Sequence, residues 1–173
     1  MRLWLLRHAK SSWDDPSADD EDRPLATRGE RAAGRMRDYL EAHDINPDLV
    51  LCSSARRARQ TLAGVLPGLG EALEIRIEPT LYTFDVAVLI DRLSRVPVDV
   101  SSVLLVGHNP ALQELAVRVA DRGERLHDLT RKYPTGSLAE IEVSSGSWGA
   151  LAYRAGELKR FVTPGELDGI SQR

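Results

Sequence analysis

Four residues of the sequence have side chains suited to catalysis, and each follows a short apolar run by one to five positions. They are two arginines and two histidines: Arg7, His8, Arg57 and His108. The apolar runs before them cover 3–6, 49–52 and 103–106. Runs of this length and apolarity are typical of buried strands, and ligands of open α/β sheets bind beyond the carboxyl ends of the strands. If the three strands are parallel neighbours, the four side chains meet in one crevice.

A phosphoryl group suits this set of side chains. Its charge is spread over three oxygens, and arginine presents paired planar donors that match them. A neutral imidazole is a competent nucleophile near pH 7, since its unperturbed pKa is about 6.5. We therefore expect His8 to accept the phosphoryl group and water to release it. Arg7, Arg57 and Asn109 are expected to bind substrate, and a protonated His108 would stabilise the charge of the transition state.

Two other uses of the histidines have to be weighed. A catalytic zinc site usually needs a third protein ligand, and no Cys, Asp or Glu stands at the three strand ends. Two guanidinium groups would also repel a cation, so neither a metal nor a cofactor is expected. The histidines could instead be satisfied core residues. Their shared position at strand ends favours the phosphoryl site.

Length and composition indicate a globular protein with a single domain over residues 1–173. Of the 173 residues, 42% are apolar and 28% charged, and the net charge of −3 gives no support for nucleic acid as a partner. The single cysteine, Cys52, lies in an apolar run, as a buried thiol of a reducing compartment would. No signal peptide and no apolar stretch long enough to cross a membrane is evident. We therefore expect a cytoplasmic protein without a membrane partner.

The alternation of apolar runs and amphipathic segments predicts an α/β fold, a three-layer α/β/α sandwich with a mostly parallel central sheet. Three helix starts are predicted from capping residues: a capping box at Thr27 with Glu30, a cap at Ser53 or Ser54, and a cap at Asn109 before Pro110. Residues 138–143 and 148–153, joined by a turn over 144–147, predict an antiparallel hairpin at one sheet edge. The acidic segment 14–22 is interpreted as a solvated loop or as a lid that selects a cationic protein surface.

Five motifs together resemble the histidine phosphatase superfamily, which has a phosphoglycerate mutase-like fold, and in particular its small SixA-type phosphohistidine phosphatases. The motifs are Leu6-Arg7-His8-Ala9-Lys10-Ser11-Ser12-Trp13, Arg23-Pro24-Leu25 with Thr27-Arg28-Gly29, Ser53-Ser54-Ala55-Arg56-Arg57-Ala58-Arg59-Gln60-Thr61, Val106-Gly107-His108-Asn109-Pro110 and Pro134-Thr135-Gly136-Ser137. The resemblance implies an α/β/α fold without a metal, with His8 as nucleophile and Arg7, Arg57 and His108 forming the phosphate pocket. It also implies a phosphorylated protein as substrate, either a His-containing phosphotransfer domain or a phosphocarrier. The oligomeric state is left open.

The sequence departs from the superfamily pattern at two places. Ala9 replaces the signature glycine, and a positive φ there would strain the backbone; alanine is frequent at this position in the SixA-type subgroup. The general-acid Glu is missing, since no Glu follows Leu81 in the region 79–85. Asp85 or Glu78 would then have to supply a proton, if one is supplied.

The missing acid favours a substrate with a P–N bond. Ester hydrolysis expels an alkoxide, whose parent acid is about as weak as water, whereas phosphohistidine expels an imidazole with a pKa of ~6.5. A missing acid therefore handicaps esters most. Two alternative functions stay open: a phosphatase of small phosphomonoesters or anhydrides that uses the same pocket, and a phosphate-binding module without catalysis.

Overall fold

A seven-stranded sheet forms the centre of the computed structural model, which describes residues 1–70, 73–151, 154 and 156–168. The strands are β1 (Arg2–Arg7), β2 (Leu49–Ser53), β3 (Glu74–Glu78), β4 (Ser102–Gly107), β5 (Ala120–Arg122), β6 (Leu138–Val143) and β7 (Gly156–Val162). They lie side by side in the order β3-β2-β4-β1-β6-β7-β5. The first four are mutually parallel, β6 is antiparallel to both of its neighbours, and β7 and β5 are parallel.

Within the described residues, six α-helices cover the two faces of this sheet. They are α1 (Thr27–Ala42), α2 (Arg56–Val65), α3 (Val86–Ser94), α4 (Ala111–Val119), α5 (Leu126–Arg131) and α6 (Pro164–Asp168). One apolar core joins a sheet face to α3, α4 and α5, and a second joins the other face to α1, α2 and α6. This arrangement confirms the predicted three-layer sandwich with a mostly parallel sheet. All helices within the described parts of the chain are too short or too polar to traverse a lipid bilayer.

The register of the strands places the carboxyl ends of β1, β2 and β4 at the same level of the sheet. Strands β2 and β4 are buried along their whole length, as expected for central parallel strands. Arg7 at the end of β1 pairs with Gly107 at the end of β4, and Cys52 of β2 pairs with Val106. The chain therefore leaves all three strands at the same level, where the next residues carry the polar side chains discussed below.

The antiparallel hairpin is present, but its second strand was wrongly located. The strand that pairs with β6 is β7, whereas 148–150 forms a short 3-10 helix. The reason is Trp148, which is buried and donates its indole N–H to the Val100 carbonyl, so it anchors this turn to the core. Residues 152 and 153, the end of the expected strand, lie outside the described residues. The three-residue β5 follows β7 at this side of the sheet.

The predicted helix caps are wrong by one or two residues. Helix α1 is preceded by Ala26, α2 by Ala55 and α4 by Pro110, and no capping side chain bonds the first turn of any of them. Ser53 instead accepts a hydrogen bond from His108. Asn109 donates to Gln113 and to the Tyr133 carbonyl. The polar side chains at these strand ends therefore bond mainly within the crevice, although Ser53 Oγ also accepts the backbone N–H of Ala55, directly before α2, at 3.3 Å.

Candidate active site

The two histidines lie side by side beyond the ends of β1 and β4. The ring centroids of His8 and His108 are 5.0 Å apart, with an interplanar angle of 48°. Arg57, in the first turn of α2, has its Nη2 3.4 Å from Nδ1 of His108. The positive charges of Arg57 and Arg7 both act on His8. The structure thus brings the four expected side chains together.

Imidazole geometry leaves one nitrogen of His8 available for reaction. Its Nδ1 lies 2.7 Å from the carbonyl oxygen of Ala9. A carbonyl can only accept, so Nδ1 carries the proton and Nε2 holds a lone pair. Burial, reinforced by the charges of Arg57 and Arg7, lowers the pKa of His8 to about 4. The ring is therefore neutral at pH 7 and can act as a nucleophile through Nε2.

His108 is also neutral in the free protein, unlike the protonated form considered from the sequence. Burial, followed by the nearby His8 and Arg57, lowers its pKa to about 3. Arg57 only donates, so Nδ1 of His108 accepts, and Nε2–H donates to the Ser53 hydroxyl at 2.8 Å. Ser53 thereby orients the ring. The sequence marked Ser53 as a strand end but gave no sign of this bond.

Arg7 and Asn109 meet at the carbonyl oxygen of Tyr133. Arg7 Nη1 donates to it at 2.6 Å and Asn109 Nδ2 at 3.3 Å. Three polar atoms in this neighbourhood, Nε of Arg7, Oδ1 of Asn109 and Oγ of Ser137, are buried without a hydrogen-bond partner. Ser137 is a close neighbour, because its carbonyl accepts from the backbone N–H of Arg7. Unpartnered buried polar atoms are rare, and a bound anion or water would satisfy the donors among them.

Thr61 ties the segment that follows β1 to α2. Its hydroxyl accepts the backbone N–H of Ala9 at 2.9 Å and donates to the carbonyl of Arg57 at 2.7 Å. The side chain is 1% exposed. Thr61 lies one helical turn after Arg57, and that spacing was the only available signal for its role.

Gly136 holds the backbone of Arg7 and His8 from the other side. Its N–H lies within 3.1 Å of the Arg7 carbonyl and 3.0 Å of the His8 carbonyl. Its φ of +78° favours glycine. Among the described residues the non-glycine positions with positive φ are Asp44 and Arg154, so the strain considered at Ala9 does not arise.

A carboxylate from the acidic segment reaches the crevice, which the sequence analysis missed. Asp20 opens a short 3-10 helix, Asp20–Asp22, and its Oδ2 lies 2.9 Å from Nη2 of Arg57. The hydroxyl of Tyr82 donates to the same oxygen at 2.7 Å. Tyr82 also presents its ring edge to His108, with 5.4 Å between centroids. Nothing in the apolar periodicity could have located a loop carboxylate.

The two carboxylates considered as proton donors are engaged elsewhere. Asp85 caps α3 by accepting the backbone N–H of Ala87 at 2.8 Å. Glu78 forms a two-point ion pair with Arg92, with both N–O distances at 2.7 Å. The described residues also include no group of three or more His, Cys, Asp or Glu side chains placed to hold a metal ion.

An unprotonated imidazole nitrogen beside guanidinium donors is the arrangement that phosphoryl transfer requires. Comparison with known proteins assigns the family. Residues 3–93 match the model of the histidine phosphatase superfamily (branch 1), so the chain belongs to this superfamily of phosphatases. A solved structure from Nakamurella multipartitia, assigned provisionally to the SixA phosphohistidine phosphatases, has a TM-score of 0.80 and 31% identity. That match covers 94% of this chain and 95% of the other.

Two curated relatives add to this assignment. An uncharacterised protein of Mycobacterium tuberculosis is 36% identical over 163 residues, covering 92% of this chain and 99% of the relative. The adenosylcobalamin/alpha-ribazole phosphatase of Escherichia coli is 36% identical over a shorter stretch of 83 residues, 47% of this chain and 39% of that protein.

Proposed function

We propose that the protein hydrolyses phosphohistidine in a phosphorylated protein, through a covalent phosphohistidine intermediate on His8. The observation that carries the proposal is the hydrogen bond from His8 Nδ1 to the Ala9 carbonyl at 2.7 Å. It leaves Nε2 unprotonated, and Nε2 is the only nitrogen of this ring able to attack phosphorus. The partner would be a His-containing phosphotransfer domain or a phosphocarrier. The structural match to the protein histidine phosphatase SixA in complex with tungstate, with a TM-score of 0.77 and 25% identity, supports this substrate class.

The reaction runs in two displacements. In the first, Nε2 of His8 bonds to phosphorus while the P–N bond of the substrate breaks, and the departing imidazole takes up a proton. In the second, the oxygen of a water molecule bonds to phosphorus while the P–Nε2 bond to His8 breaks, the water releases a proton to solvent, and inorganic phosphate departs. Arg7 and Arg57 bind the phosphoryl oxygens. His108 gives its one N–H to Ser53, so it donates to these oxygens only after its Nδ1 takes up a proton in the substrate complex. Contact between Asn109 and substrate stays a prediction, because its amide nitrogen is occupied by Gln113 and Tyr133.

The state of Asp20 supports a P–N substrate over an ester. The hydrogen bond from Tyr82, together with the charge of Arg57, holds the pKa of Asp20 below its ordinary value. The carboxylate is therefore an anion at neutral pH and has no proton to give to an alkoxide. Without a general acid, an ester loses about 10²–10⁴ in rate. Phosphohistidine, with its better leaving group, loses far less.

Hydrolysis of a small phosphomonoester is the second candidate, since one relative is named as an adenosylcobalamin/alpha-ribazole phosphatase. Turnover of a phosphohistidine peptide compared with an alkyl phosphate separates the two functions. We expect kcat/KM to be at least about 10²-fold higher for the peptide. Faster turnover of the alkyl phosphate would favour the second candidate.

His8→Ala tests the nucleophile. We expect it to abolish turnover and the labelled phosphoenzyme while inorganic phosphate still binds. The matched control is His43→Ala, because His43 is exposed at the end of α1 and its ring stacks on Tyr39 at 3.9 Å. A His8→Ala protein that still becomes labelled would refute the assignment. A native protein that binds phosphate without any turnover would indicate a binding module instead.

A further inference from the structure

Asp20 occupies the donors that a phosphoryl group would need on Arg57. Nη2 of Arg57 donates to Oδ2 of Asp20 at 2.9 Å, and Nη1 donates to the backbone carbonyl of the same residue. These two nitrogens form the fork with which arginine binds two oxygens of a phosphate. Both prongs of the fork are therefore in use within the protein itself.

The two partners differ in their access to water. The Arg57 side chain is 5% exposed and that of Asp20 is 49% exposed. Arg57 is also tied through its carbonyl to Thr61 and through Nη2 to His108. The guanidinium is thus fixed, whereas the carboxylate can turn into solvent and regain hydration. The remaining partners of Asp20, Arg23 at 2.9 Å and Tyr82 at 2.7 Å, set the strength with which it is held.

A carboxylate and a phosphoryl group cannot share this fork. Both are anions, and two like charges a few ångströms apart in a partly buried site repel each other strongly. Binding of the phosphoryl group to Arg57 therefore requires that Asp20 leave it. The free energy needed to break the Asp20 contacts then reduces the binding free energy of every ligand that uses Arg57.

We propose that Asp20 is an internal competitor that sets the phosphate affinity of the site and thereby its specificity. This inference rests on the proposed function, since it concerns the same pocket. Ligands held by the phosphoryl group alone, such as inorganic phosphate and small monoesters, bind weakly because they gain little beyond replacing Asp20. A phosphorylated protein adds contacts outside the pocket and overcomes the competition. The enzyme is in this way protected from inhibition by its own product.

Asp20→Asn tests the competition, because it removes the charge and keeps the shape. Calorimetric titration with inorganic phosphate gives the affinity directly and needs no turnover. We expect the dissociation constant to fall by about tenfold, the order expected when a half-exposed ion pair no longer has to be exchanged. The matched control is Asp22→Asn, which removes an exposed charge from the same short helix. It should change the dissociation constant less than about twofold.

Each outcome decides between distinct explanations. Equal affinity in the native and Asp20→Asn proteins would overturn the competition and leave the proposed function intact. Weaker binding in Asp20→Asn would also overturn it, because Asp20 would then position Arg57 for phosphate. A fall of equal size in Asp22→Asn would reduce the effect to the overall charge of the acidic segment. Absence of phosphate binding in all three proteins would overturn the phosphate pocket itself, and the proposed function with it.

Discussion

Replacing Thr61 by valine removes the hydroxyl that links Ala9, directly after His8, to Arg57 of α2 and keeps the shape of the side chain. The backbone N–H of Ala9 then loses its partner at a position that is 0% exposed. An unpaired buried donor costs about 1–3 kcal/mol. For a protein of this size each kcal/mol lowers Tm by about 2–4 °C. We therefore expect Thr61→Val to lower Tm by roughly 2–12 °C.

The same change should reduce activity, because Ala9 directly follows the nucleophile and its carbonyl holds Nδ1 of His8. A misplacement of about 1 Å costs on the order of 10² in rate, so a partial shift should lower kcat by about tenfold. The measurements are thermal unfolding and steady-state turnover of a phosphohistidine peptide.

A matched control exists in Thr130, whose hydroxyl makes the same kind of helix bond to the carbonyl four residues earlier, at 2.8 Å from Leu126. Thr130 is exposed, so Thr130→Val should change stability by no more than about 0.5 kcal/mol and leave turnover unchanged. Thr61→Val protein with native Tm and native kcat would refute the linking role. Equal losses in the two variants would refute it as well, since they would reflect the helix bond alone.

Two further predictions concern stability. Burial lowers the pKa values of His8 and His108 to about 4 and about 3, so between roughly pH 4 and 6.5 the unfolded chain binds more protons than the folded protein. The free energy of unfolding should therefore decline as the pH falls through that window, and urea unfolding at about pH 7.5 and about pH 5 measures it. If the pH dependence of this free energy were the same in His8→Ala as in the native protein, the titration of His8 would not be its cause. A Cβ on Gly29 would lie 2.2 Å from the Lys10 carbonyl oxygen, so Gly29→Ala should cost about 1–3 kcal/mol. Gly34→Ala, in the same helix with nothing within 4 Å, should stabilise by about 0.5–1 kcal/mol; thermal unfolding that moves both the same way would be inconsistent with this reading.

The convergence of the four pocket side chains could be anticipated, because it follows from the apolar pattern of the strands and from where each polar residue stands after its strand. Each of the three central strands is buried on both faces, so each appears in the sequence as a short apolar run with a visible end. Parallel neighbours then place Arg7, His8 and His108 at one edge of the sheet. Arg57 was placed by its position in the first turn of α2.

The contacts that tune the pocket could not be anticipated, because they join residues without a common period. Asp20 reaches Arg57 from a loop, 37 residues away in the chain, and Tyr133 offers its carbonyl to Arg7 across 126 residues. The misplaced hairpin strand has a similar origin. Trp148 to Leu151 is as apolar as a strand, and only the buried indole bond to Val100 shows that it is not one.

The position of β1 has a consequence for the order in which the chain can fold. It precedes the other described strands in the chain, yet its neighbours in the sheet are β4 and β6, and Arg7 pairs with Gly107. At roughly 5–20 residues per second, about 100 residues of synthesis delay that pairing by on the order of 5–20 s. During this interval an apolar segment with two unsatisfied edges is exposed on the ribosome. The strand that leads into His8 thus needs protection by chaperones while the rest of the chain is made.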